Sequence, residues 1–293
     1  MIRIWLAAAV AFVSCASLHA ATPAEDAYLA ARAAAVAKVK AALDAKTKEE
    51  AVAKLEESER AELLKQLSAL IGRKPQGYEQ GELSPESLAP DSPGGDALDA
   101  VVYAKGEKDP SIAVTTEGVA NAWLAAARAD PDRKTLNLPS NLPEALKAVN
   151  FYTLALGGDA AFSQLAPVPT NAEPGAVALL GAFAQDVGPT APNVLVVSVL
   201  RGGLLSIIQA PPSKELKIPP ACKAVWTSFE QKAKKAQRAY QASKEKDESQ
   251  FEAAQKAEAE GDEAWRQCFA KALKPDDLAA LGQQADALIK LLP

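Results

Sequence analysis

The chain has 293 residues, with 32 Lys+Arg against 37 Asp+Glu, a formal net charge of −5 and 48% hydrophobic residues. That is enough to bury a sizeable core in one or two domains. A pI near 5.2 argues against the basic face that a nucleic-acid partner requires.

The first twenty residues read as a secretory signal peptide. Arg3 is the positive n-region, residues 4–13 are an apolar run too short to span a bilayer, and Leu18-His19-Ala20 offers a cleavage site after Ala20. A second export reading uses Cys15, because Phe12-Val13-Ser14-Cys15 resembles a bacterial lipoprotein box and a lipid there would anchor the chain. No other stretch reaches the ~18 apolar residues of a spanning helix. The expectation is a periplasmic or secreted protein with no membrane span.

The leader also holds the only histidine, His19, and the only methionine, Met1. Its removal takes away Arg3 and no acid, leaving 31 basic residues against 37 acidic ones. A histidine-free chain has no Ser-His-Asp or Cys-His pair, no imidazole metal site and no His-ligated haem. Two cysteines cannot form a four-thiolate metal site. No cofactor and no metal are expected.

Thr22-Pro23-Ala24-Glu25 is a capping box with proline at the first helical position. It opens a helix over 23–45 with an apolar beat of Leu29, Val36 and Leu43, with Ala33 and Val39 between. A second box, Thr47 to Glu50, opens a helix over 47–71 bearing Val52, Leu55, Leu63, Leu67 and Leu70, and Gly72 stops it. Residues 73–96 are rich in proline and glycine and read as a linker or surface loop.

The region 97–212 has a different composition and reads as α+β. Strands are expected over 97–104, 111–116 and 149–156, and helices over 117–129 and 174–186. The clearest element is a β-hairpin of 194–200 and 204–210 around Arg201-Gly202-Gly203. Both arms are apolar on both faces, so they belong at the centre of a covered sheet.

From residue 219 the chain is helical and charged. Cys222 and Cys268 are the even pair left in an oxidising compartment, so a disulfide is expected. The apolar positions argue for an antiparallel hairpin. Outward they run Cys222, Val225, Phe229, Ala233, Ala236 and Tyr240, and they return through Phe251, Ala254, Gly261, Trp265 and Cys268, with Glu258 as a polar interruption. Pairing 222 with 268, 225 with 265, 229 with 261 and 236 with 254 keeps one sum of residue numbers, as facing residues must. The fold-back then falls in the polar run 243–249. An unbroken helix over 221–260 would separate its ends by roughly 58 Å, too far for Cys268 to return. A short final helix follows Pro275. The N- and C-terminal helices are expected to pack as a bundle with the α+β region inserted between them.

Candidate chemistry is sparse. Ser243-Lys244-Glu245-Lys246 has Ser-x-x-Lys spacing, but it lies in a charged, solvated run. Asp130-Pro131-Asp132 lacks the glycine and distal glutamate of a calcium loop. Arg201, Gly202 and Gly203 could hold an anion on a guanidinium and free amides. Asp96, Asp99, Glu117, Asp159, Glu173 and Asp186 are the acids from which a hydrolytic pair could come. The leading expectation is a non-catalytic binding, inhibitory or scaffolding protein of the cell envelope that meets another envelope protein through helical surfaces. The alternatives are a carboxylate-dependent hydrolase of cell-wall or extracellular polymer and an extracytoplasmic chaperone.

Overall fold

The structure, a computed structural model, describes residues 21–79, 81–84, 88, 98–106, 109–129, 161–173, 176–184 and 188–293. The expected strand over 149–156, the leader, the Asp130-Pro131-Asp132 turn and Asp96, Asp159 and Asp186 lie outside them. Seven strands form one antiparallel sheet in the order β1-β2-β3-β7-β6-β5-β4. They are β1 (Glu82–Ser84), β2 (Ala100–Tyr103), β3 (Ser111–Thr116), β4 (Ala161–Val168), β5 (Val177–Ala184), β6 (Val194–Arg201) and β7 (Leu204–Ala210). The described helices are α1 (Pro23–Asp44), α2 (Glu49–Ile71), α3 (Glu117–Ala129), α4 (Pro220–Ala242), α5 (Glu248–Ala272) and α6 (Pro275–Ile289). The class is α+β, as expected.

β6 and β7 sit at the centre, turned through Gly202 and Gly203, which take φ values of 58° and 78° that favour glycine. Alternation along these strands feeds two cores. Leu195, Val197, Val199, Leu204 and Ile208 join the larger core with residues of α1, α2, α4, α5 and α6. Val194, Val196, Leu205 and Ile207 join Leu98, Ala113 and Ala120 on the other face, where α3 packs on β3 and β7. α2 lies on β1, β2 and β3, whereas α5 meets β4 and α6 meets β4 and β6. The N- and C-terminal helices thus share one apolar cluster, each group laid on its own part of the sheet.

Several local expectations need correction. The described part of the helix expected over 174–186 is not helical. Val177–Ala184 is a strand paired to β4 and β6, and Ala178, Leu180 and Ala182 alternate into the larger core. An eight-residue apolar run satisfies both periods over so short a span, and the open edge of β6 decides the outcome. The proline- and glycine-rich stretch does hold one element, the three-residue β1, paired to β2. The second capping box does not form, because Thr47 N–H turns back to Ala42 O and the helix starts one residue later on Lys48. The α1 stripe is shifted in part: Val39 is buried and Leu29 and Val36 pack against the core as expected, but Tyr28 and Ala35 are buried too and Leu43 is 46% exposed.

The first capping box is present and has a second task. Thr22 N–H donates to Glu25 at 2.6 Å, and Glu25 N–H donates to Thr22 Oγ1 at 3.3 Å. The buried Glu25 carboxylate also accepts from Gly118 N–H at 3.2 Å, at the amino end of α3. Gly118 is required there, since a Cβ would stand 2.6 Å from that carboxylate. Burial opposes the charge on Glu25, but hydrogen bonds from Thr116, Thr22 and Gly118 outweigh it and hold the carboxyl below its ordinary range. A carboxyl with a lowered folded pKa contributes stability above its unfolded pKa and loses it as pH falls through the folded one. Glu25→Gln is therefore expected to cost about 1–3 kcal/mol near neutrality. It should also flatten the fall in stability below about pH 4.3, read by urea denaturation across pH 3–7.

Candidate functional site

α4 and α5 form the antiparallel hairpin expected from the sequence, closed by a 243–247 turn. Cys222 and Cys268 are joined by a disulfide with their Cα atoms 5.4 Å apart. Phe229 and Gly261 face each other as the register demands, because a Cβ on Gly261 would stand 2.7 Å from Phe229 Cβ. The seam differs from expectation at two points. Trp226 is buried where Val225 is only half-buried, and Ala257 takes the place given to Glu258, which is exposed. Both shifts follow from 3.6 residues per turn, which lets neighbouring positions share one broad face.

The hairpin is layered along its length. Cys222, Trp226, Trp265 and Phe269 are the buried side chains at its base, with Trp265 and Phe269 edge to face at 6.2 Å. Toward the tip only Ala233, Ala254 and Ala257 are buried. Tyr240 and Phe251 then pair at 5.3 Å, and Phe251 is 38% exposed. Burying alanine alone brings two helices close but gives no third layer anything to cover. In the turn, Ser243 Oγ donates to Tyr240 O and accepts from Lys246 and Asp247 N–H, and Lys244 and Glu245 take positive φ. The Ser-x-x-Lys motif is therefore a helix-closing turn with its serine fully engaged.

The hairpin also separates charge. Within α4 the sequence carries Lys223, Lys232, Lys234, Lys235 and Arg238 against Glu230 alone, whereas α5 is acidic on balance. Ion pairs such as Lys234–Glu230 and Arg266–Asp262 stay within one helix.

Two of the acids considered for hydrolysis, Asp99 and Glu173, are held by neighbours. Asp99, 4% exposed, accepts from Tyr28 Oη and Arg32 Nε, each at 2.8 Å. Glu173 is bound by Arg201, whose Nε lies 3.0 Å from Oε2. The Arg201 guanidinium beside it keeps the Glu173 carboxyl below the usual range. Arg201 also donates to Pro293 O at 3.2 Å, so its guanidinium is engaged within the chain. Gly203 O accepts from Glu117 N–H at 2.7 Å, so the Arg201-Gly202-Gly203 turn serves as a brace. Glu117 opens α3. Among the described residues, no group of three His, Cys, Asp or Glu is placed to hold a metal ion, and no helix is long and apolar enough to cross a membrane.

The fold and hairpin define an α+β protein with a covered antiparallel sheet and a stapled helical arm. The chain matches no known family model, no curated protein and no solved structure.

Two outcomes test the hairpin. Gly261→Ala gains about 1 kcal/mol of helix propensity but collides with Phe229 and with Trp226, whose ring lies 2.9 Å from the new Cβ. Overpacking costs about 1–3 kcal/mol, so net destabilisation by urea is expected, and a gain would reject the packing. The crosslink spans 46 residues, for which loop closure gives at most about 4 kcal/mol. In Cys222→Ser/Cys268→Ser, amide exchange in α4 and α5 should accelerate while that of β6 and β7 changes less.

Proposed function

We propose that this is an exported, non-catalytic binding or scaffolding protein that holds a partner protein of the cell envelope on its helical hairpin. The observation that carries this reading is the arm itself. Two helices of more than twenty residues each are stapled at the base, yet bury only alanine toward the tip. The part of the arm toward the tip contributes little to the sheet core, while its outer faces stay available for contact. The exposed Phe251 beside Tyr240 supplies an aromatic anchor of the sort that dominates protein interfaces. The separated charges of α4 and α5 supply orientation.

Export agrees with the leader grammar and with the cysteine pair, which needs an oxidising compartment to close. Processing is proposed after Ala20, with lipidation at Cys15 as the alternative, and intact mass of the purified protein distinguishes the two. The engaged state of Asp99 and Glu173 gives no support to the hydrolase reading.

A photo-crosslinking residue placed at Gln241 or Gln255 in cells should capture one envelope protein. The same residue at Lys65 on α2 should not. Phe251→Ala should reduce the captured yield about tenfold without lowering the thermal midpoint. Equal capture from Lys65, or none from the hairpin, would reject the assignment.

A further inference from the structure

A second site lies away from the hairpin, where the end of α2 meets β1 and β2. A cleft of about 430 Å³ opens there, with Leu64, Val101 and the Tyr103 ring as its apolar wall and Ser68, Arg73 and Lys74 as its polar side. That volume is within the range of small-molecule sites.

Two polar groups at this cleft are unspent. Tyr103 is 5% exposed, yet its hydroxyl has no hydrogen-bond partner among the described residues. The neighbouring Tyr78, by contrast, donates to Pro110 O at 2.7 Å. Burial raises the Tyr103 pKa, so the group stays protonated as a donor. Arg73 is exposed and likewise has no ion pair or hydrogen bond among the described residues. Its Nη2 lies beside the Gly202 turn, 3.2 Å from where a Cβ on that glycine would stand.

The local charge favours an anion. Lys74 is paired with Glu79 at 2.7 Å, and Lys105 lies 4.6 Å over the Tyr78 ring. Among the described residues that line the cleft, Arg73 and Lys74 stand against Glu79. The carboxyl end of α2 opposes this, since its free carbonyls carry about half a negative charge. With Lys74 spent on Glu79, the Arg73 guanidinium is the full positive charge set against that half charge, so the sign reverses. Gly81 keeps the wall open, because a Cβ there would stand 2.4 Å from Val101 Cγ1.

We propose that this cleft binds a small oxyanion-bearing molecule with a short apolar body, its carboxylate or phosphate held by Arg73 and its contact with the wall completed by the Tyr103 hydroxyl. A guanidinium presents paired N–H groups matched to either oxyanion, while Leu64 and Val101 take up the apolar part. The site is independent of the hairpin and of the partner proposed for it.

The test is an NMR titration of the mature protein with hexanoate, hexyl phosphate, hexanol and inorganic phosphate. Hexanoate or hexyl phosphate should shift the amides of Ser68, Arg73 and Tyr103 saturably, and whichever binds more tightly identifies the headgroup class. Hexanol and inorganic phosphate should each bind about tenfold more weakly. Arg73→Gln should weaken hexanoate and hexyl phosphate about tenfold, and Tyr103→Phe about threefold, with thermal midpoints unchanged. The proposal is overturned by no saturable shift with either anion, by equal binding of hexanol or inorganic phosphate, or by equal affinity in Arg73→Gln.

Discussion

β6 and β7 are apolar on both faces, and a two-stranded ribbon of that kind cannot face water on either side. Neighbouring strands must hide its edges, and two layers must hide its faces. β3 and β5 supply the edges, α3 covers one face, and the helices of both chain ends cover the other. The burden of closure then moves outward to β1 and β4, where it is met by different means. β1 is only three residues long, and Arg60 donates to Leu83 O at 2.6 Å, occupying one of its carbonyls. β4 carries Pro167, which has no N–H to offer, and an irregular register between Gln164 and Ala166. Both devices make an edge a poor template for another strand.

What could be read without coordinates followed from how local the signal was. The disulfide and its hairpin were legible because helix phase and an even cysteine pair give two independent constraints on one register. The β6–β7 hairpin was legible because its turn and its two apolar arms are contiguous. β5 was misread because eight small and apolar residues satisfy helix and strand alike until a neighbouring strand chooses. β4 escaped notice because Pro167 argues against a strand everywhere except at an edge. Glu25 was visible as half of a capping box, but its bond to Gly118 joins residues 93 apart in sequence. The cleft was invisible for the same reason: Arg73 and Tyr103 belong to separate elements, and only the sheet brings them to one wall.

The electrostatic economy of the chain is also consistent. The sequence has no histidine beyond His19, and several of its acids are held by hydrogen-bond donors. Asp99 takes a tyrosine and an arginine, Glu25 takes backbone amides, and Asp286 accepts from Asn171 and Ala172 N–H, each at 3.0 Å. Charge that is free to act lies on the outside, along the hairpin and around the cleft.

The strand order also sets a sequence of events. The β6–β7 turn, the α1–α2 pair and the stapled α4–α5 hairpin each join near neighbours in the chain, so each closes a short loop. β3 must find β7 across about ninety residues, with Thr116 opposite Leu204. Loop entropy makes such a pairing slow relative to the local ones. The bonds from Glu117 N–H to Gly203 O and from Gly118 N–H to Glu25 lie just beyond that pairing. They become available only once β3 has docked. The α1–α3 latch therefore closes after β3 docks, and until α3 settles, the central ribbon has one uncovered face through which an unfinished chain can meet another.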